Sequence, residues 1–185
     1  MRALLFSGGL DSTVVFYKLL KELGPDGFVA VTIFYGQPHY KEVDRARKTA
    51  EDHGVEWVLL NARDVFRVKP SGLLDENCDD SVASETVVKN RNGLFVAMVS
   101  AFASEIYLGC NKDDYADYYD CRPEYLSSLW IPFDCRTSVP LRDYTKKQVI
   151  EEARELGIDL SSVLSCYRGT NCGSCAACLL IKEAT

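Results

Sequence analysis

Near the start of the chain an apolar run, Arg2 to Phe6, breaks into the turn Ser7-Gly8-Gly9-Leu10-Asp11-Ser12-Thr13, and VVFYKLLKEL then carries apolar residues at helical spacing as far as Gly24 and Pro25. A strand that passes through two small residues into an amphipathic helix sets the handedness and layering of whatever follows. The next run, FVAVTIFYG from Phe28, is β-branched and aromatic like a buried strand; KEVDRARKTAEDHG reads as a charged helix ending near Gly54, and EWVLLN as a third strand. Two strand-helix-strand units in succession predict an α/β protein: a Rossmann-like parallel sheet with right-handed crossovers and helices on both faces.

Beyond this frame the polar stretch from Asp64 to Lys89 is longer than most loops and reads as a lid candidate. A helix is predicted from Asn90 through Phe102, and a fourth strand over Ile106 to Gly109, with the loop CNKDDYADYYDCRPE at its C-terminal end. In open α/β sheets that edge is where ligands bind. Tyr144 to Leu156 has helical periodicity, with Thr145 placed to cap it. With 185 residues the chain can bury one real core, so the expected organisation is an α/β domain over 1–160 and a small tail over 161–185 in one compact unit.

Composition excludes more than it identifies. The chain is 47% hydrophobic and 26% charged, as in globular proteins, and its formal net charge of -6 disfavours duplex nucleic acid and anionic membranes as partners. The N-terminal apolar run is too short for a signal peptide and no run reaches membrane-spanning length, so a cytoplasmic location is expected, with no membrane association.

Two clusters carry chemistry. The Ser7–Thr13 turn offers backbone N–H groups, small residues for close approach and the positive end of a helix dipole, as a phosphate group requires. Neither a GK[ST] phosphate loop nor a G-x-G-x-x-G turn is present. The plainer alternative is an ordinary strand-to-helix turn capped by Asp11 or Ser12. At the other end, Cys166-x5-Cys172-x2-Cys175-x2-Cys178 supplies four thiolates, with Gly173 available for a tight turn, which suits a closed, structural tetrahedral zinc site. A redox pair and an iron-sulfur cluster remain open on spacing alone. Cys78, Cys110, Cys121 and Cys135 lack such spacing.

The string SGGLDST resembles the pyrophosphate loop of the PP-loop ATPases. That resemblance implies that Phe6, Ser7, Gly8, Gly9, Leu10, Asp11, Ser12 and Thr13 hold ATP with Mg²⁺, with Asp11 positioning metal or phosphate. Taken with the C-terminal cysteines, YGQPHYKE from Tyr35, NRN from Asn90, DYADYYDCRPEY from Asp114, VPL from Val139, TKKQVI from Thr145 and SCYRG from Ser165 resemble the 7-cyano-7-deazaguanine synthase family over nearly the whole chain. The resemblance implies ATP-dependent conversion of 7-carboxy-7-deazaguanine and ammonia to the nitrile preQ0, zinc in a structural role, and a homodimer. It implies Asp11, Arg122 and Lys146 as catalytic residues. It also implies Tyr35, Gln37, His39, Asn90, Arg91, Asp120, Arg122 and Glu124 as substrate-binding residues, Glu124 or Asp120 accepting hydrogen bonds from the guanine-like face. The chain departs from the family in being shorter, with Lys89 and Tyr119 where prolines are usual. Plainer readings stand beside these roles: His39 and Glu42 as a surface pair, Asn90–Asn92 as a helix cap, and Tyr115, Tyr118 and Tyr119 as packing residues. Another PP-loop adenylating enzyme, acting on a protein or on tRNA, and a non-catalytic nucleotide-binding module are the competing functions.

Overall fold

The computed structural model of the chain describes residues 1–37, 40–67, 87–160, 163, 172–175 and 178–179. Strands β1 (Arg2–Leu5), β2 (Val29–Phe34), β3 (Trp57–Asn61), β4 (Glu105–Tyr107) and β5 (Arg136–Ser138) form one sheet in the order β3-β2-β1-β4-β5. Every pairing is parallel; Leu4 stands opposite Ala30 and Tyr107, and Glu105 opposite Arg136. The helices are α1 (Leu10–Leu23), α2 (Tyr40–Asp52), α3 (Arg63–Arg67), α4 (Arg91–Ser100), α5 (Pro123–Ser128), α6 (Trp130–Phe133) and α7 (Lys146–Glu155).

Helices cover both faces of the sheet, as the sequence predicts. Along β1 and β2 alternate side chains enter different cores. Leu4, Phe6, Phe28 and Ala30 pack with Val14, Val15 and Phe16 of α1, Ala46 and Ala50 of α2, and Val149, Ile150 and Ala153 of α7. Ala3, Val29, Val31 and Ile33 pack with Val96 and Val99 of α4 and with Leu126 and Leu129. A sheet buried on both sides needs a nearly continuous apolar strand, which is why VAVTIF has no polar alternation. Its one polar side chain, Thr32, is fully satisfied: its hydroxyl donates to the Phe6 carbonyl at 2.7 Å and accepts from the Trp57 indole N–H at 2.9 Å. Val163 is buried in the α1–α7 core, so that core extends past residue 160.

Several expectations change in detail. The fourth strand is Glu105–Tyr107, shorter and one residue earlier than Ile106–Gly109, and the helix expected from Asn90 to Phe102 is Arg91–Ser100. The fifth strand is absent from the sequence reading, because Arg-Thr-Ser has no periodicity of its own and becomes a strand only by pairing with β4. The loop after β4 is locally helical: it holds 3-10 turns at Lys112–Tyr115 and Tyr119–Cys121. Of the lid candidate, Asp64–Arg67 belongs to α3, and 68–86 lie outside the described residues. Thr145 caps α7 as expected, its hydroxyl accepting from the Gln148 N–H while the Gln148 side chain accepts from the Thr145 N–H. Among the described residues no helix is long and apolar enough to cross a membrane.

Candidate active site at the switch point of the sheet

The strand order places β2 on one side of β1 and β4 on the other, so the connections leaving β1 and β4 diverge and open a crevice at their C-terminal ends. The Ser7–Gly9 turn lies there. Gly8 has φ +82, and a Cβ on it would stand 2.5 Å from the backbone oxygen of Glu42, so this position requires glycine twice over. Gly109, two residues past β4, is also closely packed: a Cβ there would lie 2.9 Å from the Ser12 nitrogen. The turn is rigid. Ser7 Oγ accepts from the Gly9 N–H at 3.1 Å, and the Ser12 and Thr13 hydroxyls donate to the Gly9 carbonyl at 3.0 and 2.8 Å. No side chain caps the N-terminus of α1, and neither Asp11 nor Ser12 takes the capping role of the plain-turn reading. A helix of 14 residues thus presents uncapped N–H groups and its positive dipole end to the crevice.

Asp11 is gripped from two sides. Lys146 Nζ donates to Asp11 Oδ2 at 2.6 Å, and Asn111 Nδ2 donates to Asp11 Oδ1 at 3.0 Å. Lys146 opens α7, and its own backbone N–H donates to Asp113 Oδ2 at 2.7 Å. Asn111 is 1% exposed and closes a reciprocal capping box with Asp114, whose Oδ2 accepts from the Asn111 N–H at 2.9 Å. Loops after β1, β4 and β5 therefore meet on one carboxylate. Burial by itself lowers the Lys146 pKa, but Asp11, Asp114 and Asp113 outweigh it and raise it. Burial, then the charge of Asp11, pushes the Asp114 carboxyl up to about 6. Asn111, Asp113 and Asp114 were missed as site residues; the spacing Asn-x-x-Asp, a capping-box pattern, was the available signal.

The remaining expected residues fall into separate groups. Tyr35, Arg91 and Asp120 gather between the end of β2 and the start of α4. The Arg91 guanidinium donates to Tyr35 Oη at 3.2 Å and lies 5.7 Å from the ring centroid. Asp120 is 6% exposed and caps α4, accepting from the Asn92 N–H at 2.8 Å. Asn90 is the exposed N-cap residue of α4, with φ 56 and no side-chain cap, so the capping expected of 90–92 comes from Asp120 instead. Gln37 is turned back on its own strand, accepting from the Tyr35 N–H at 2.8 Å and donating to the Ile33 carbonyl at 3.3 Å. Arg122 donates to the Tyr115 carbonyl at 2.8 Å and lies 5.5 Å from the Tyr119 ring, while Glu124 is exposed on α5. Tyr118 packs in the α4 core, and Tyr115 also donates to the Arg142 carbonyl at 2.7 Å. His39 and Cys166 lie outside the described residues. A concavity of about 730 Å³ bounded by Met1, Asp26, Glu56 and Glu105 is at the opposite edge of the sheet and shares no residue with the crevice.

Cys172, Cys175 and Cys178 bring their sulfur atoms within 4.8 Å of one another. Gly173 takes φ +72 between the first two, and Cys172 Sγ accepts from the Cys175 N–H at 3.4 Å and the Ser174 hydroxyl at 3.5 Å. Thiolates that share a tetrahedral metal stand about 3.8 Å apart. The cluster could hold a metal ion.

A parallel sheet in this order, with an uncapped Ser-Gly-Gly loop at its switch point, defines the PP-loop class of Rossmann-like α/β folds. Two solved structures share the fold: a predicted tRNA methyltransferase subunit from Methanocaldococcus jannaschii (TM-score 0.57, 21% identity, 83% of this chain and 75% of that one) and a glutamine-dependent NAD+ synthetase from Acinetobacter baumannii (TM-score 0.56, 17% identity, 83% and 28%). The family model described as queuosine biosynthesis protein QueC matches residues 2–185, and the chain belongs to that family. Curated relatives named 7-cyano-7-deazaguanine synthase include that of Archaeoglobus fulgidus, 31% identical over 98% of this chain and 84% of the relative. The Thermoplasma acidophilum protein is 33% identical over 95% and 83%.

Asp114 supplies a pH signature. Its folded pKa of about 6 exceeds that of a free Asp, about 3.9, so the folded state holds the proton more tightly and stability falls as pH rises between those values. Asp114→Asn removes this dependence. Urea unfolding of both proteins from pH 4 to 7 checks it: the wild type loses more stability across the window than the variant.

Proposed function

We propose that this chain is an ATP-dependent 7-cyano-7-deazaguanine synthase, converting 7-carboxy-7-deazaguanine and ammonia to the nitrile. The observation that carries the reading is the crevice itself, where the uncapped N-terminus of α1 and the Lys146–Asp11–Asn111 contact share one edge. Family membership over residues 2–185 supports the choice of substrate.

In this reading residues 6–13 seat the triphosphate of ATP. Backbone N–H groups of the turn and of α1 face the phosphate oxygens, and Ser7 and Ser12, joined at 3.0 Å, keep the turn closed around them. A carboxylate oxygen of the substrate bonds to the α-phosphorus as the bond to pyrophosphate breaks. Ammonia then bonds to the acyl carbon, AMP leaves, and a proton is lost to give the amide. A second ATP activates the amide oxygen in the same way; the bond from that oxygen to carbon breaks as AMP leaves, the nitrogen gives up both of its protons, and the nitrile remains. Charge accumulates on the departing pyrophosphate, and Lys146, with one of its three N–H donors held by Asp11, faces it with the others. Asp11 keeps lone pairs beyond those used by Lys146 and Asn111 and is the residue to hold the Mg²⁺ that accompanies ATP; that ion supplies neutralising charge on the phosphates. Arg91, Tyr35, Arg122 and Glu124 are the groups offered to the deazaguanine acid. Asp120, with one oxygen committed to α4, has the other for a base N–H.

Incubation of the purified chain with ATP, Mg²⁺, an ammonium salt and 7-carboxy-7-deazaguanine gives the nitrile with AMP and pyrophosphate by mass analysis. No nitrile and no amide under these conditions refutes the reading. Cys172, Cys175 and Cys178, with Cys166, hold structural zinc in this account and supply closure of the tail, with no part in the reaction steps. Metal analysis then finds about one zinc per chain, and Cys175→Ser lowers both the zinc content and Tm; an equally stable, zinc-poor wild type contradicts the zinc assignment.

A further inference from the structure

The first two turns of α2 rest directly on the Ser7–Gly9 turn. A Cβ on Gly8 would meet the backbone oxygen of Glu42 at 2.5 Å, the backbone nitrogen of Ala46 at 3.1 Å and the Ala46 Cβ at 3.3 Å. Arg45 lies between those two residues on the same helix. Helix α2 leaves the sheet from the C-terminal end of β2, so its N-terminus stands at the edge that carries the loop, and helical side chains lean toward the helix N-terminus. The Arg45 stem therefore leans toward the crevice.

The neighbouring helix fixes the lateral direction. Helices α1 and α2 follow parallel neighbouring strands on one face of the sheet and run side by side in the same sense. Tyr17 of α1 lies beside the end of α2, its ring 5.0 Å from that of His53 and its pKa raised by burial and by the charge of Asp52. Leu10 and Arg45 each stand seven residues, about two helical turns, ahead of Tyr17 and Asp52. That correspondence sets Arg45 at the level of the first turn of α1, where the uncapped N–H groups are.

Arg45 is also chemically incomplete. Its Nη1 is buried and has no hydrogen-bond partner among the described residues. Burial lowers its pKa, and the charge of Glu42 offsets only part of that effect. A buried guanidinium donor without an acceptor costs stability unless a ligand completes it. The planar fork of Arg matches phosphate oxygens, and the adjoining turn is built for the same group.

We propose that Arg45 is a phosphate ligand of the nucleotide site, its unpartnered Nη1 donating to a non-bridging oxygen of the polyphosphate chain seated on residues 7–12. The assignment rests on the ATP reading above. It places a positive charge on the α2 side of the loop, opposite Lys146, so that the leaving pyrophosphate is held from both flanks.

Calorimetry on the full chain with ATP, pyrophosphate and AMP, together with melting of the ligand-free protein, tests this. Arg45→Met weakens ATP and pyrophosphate about 10- to 100-fold and leaves AMP nearly unchanged. Ligand-free Tm stays level or rises, because a buried N–H donor without an acceptor has been removed. Arg47→Met, which removes an exposed charge from the same helix, leaves all three affinities unchanged. Wild-type affinities in Arg45→Met overturn the proposal and leave the ATP reading standing. Equal losses for all three ligands with a lower Tm also overturn it, because they indicate a structural role. A wild-type chain that binds neither ATP nor pyrophosphate overturns the ATP reading and this proposal together.

Discussion

The contact between Lys146 and Asp11, at 2.6 Å, joins parts of the chain 135 residues apart and the rest of the site depends on it. Desolvating an ammonium and a carboxylate costs several kcal/mol per ion in a protein interior, so such a pair persists only where further partners complete it. Here Asn111 takes the second oxygen of Asp11, Asp113 takes the Lys146 backbone N–H, and Asp114 adds charge from behind while capping the turn that carries Asn111. Removing Asp11 leaves the buried Lys146 ammonium under-compensated, at up to about 3–5 kcal/mol. The loops after β1, β4 and β5 are thereby tied to one another.

The doubly covered sheet makes this arrangement possible. Because α1, α2 and α7 share one core, the first turn of α1, the second turn of α2 and the first turn of α7 all stand at the C-terminal edge in fixed relation. A Lys18–Glu152 contact at 2.8 Å, with Tyr144 Oη 3.3 Å from the other Glu152 oxygen, ties α1 to α7 and to the residues just before Lys146. The hydrogen bond from Lys18 is the main cause holding the Glu152 carboxyl below its usual range. Gly8 and Gly109 let backbone approach backbone where any Cβ would force the layers apart.

Much of this was legible in the sequence, for reasons that differ by element. β1, α1, β2 and α2 announce themselves because burial on two faces, or on one helical stripe, imposes a periodicity. The glycine turn was legible because its backbone demands leave few residue choices. β5 was not, since Arg136–Ser138 owe their strand conformation to pairing with β4. Asp11 and Lys146 were each singled out, but their mutual contact, and the place of Asn111 between strands, arise from tertiary packing that no local pattern records. Gln37 shows the converse. The motif that contains it suggested substrate contact, whereas its amide closes the end of β2.

A double-mutant cycle tests most directly whether the crevice works as a unit. Pyrophosphate release with 7-carboxy-7-deazaguanine as acceptor is measured for the wild type, Asp11→Asn, Lys146→Met and the double variant. A crevice that works as a unit gives strong non-additivity, the double variant being no slower than the slower single, with a coupling of at least about 1 kcal/mol. Independent losses that multiply in the double variant would contradict it.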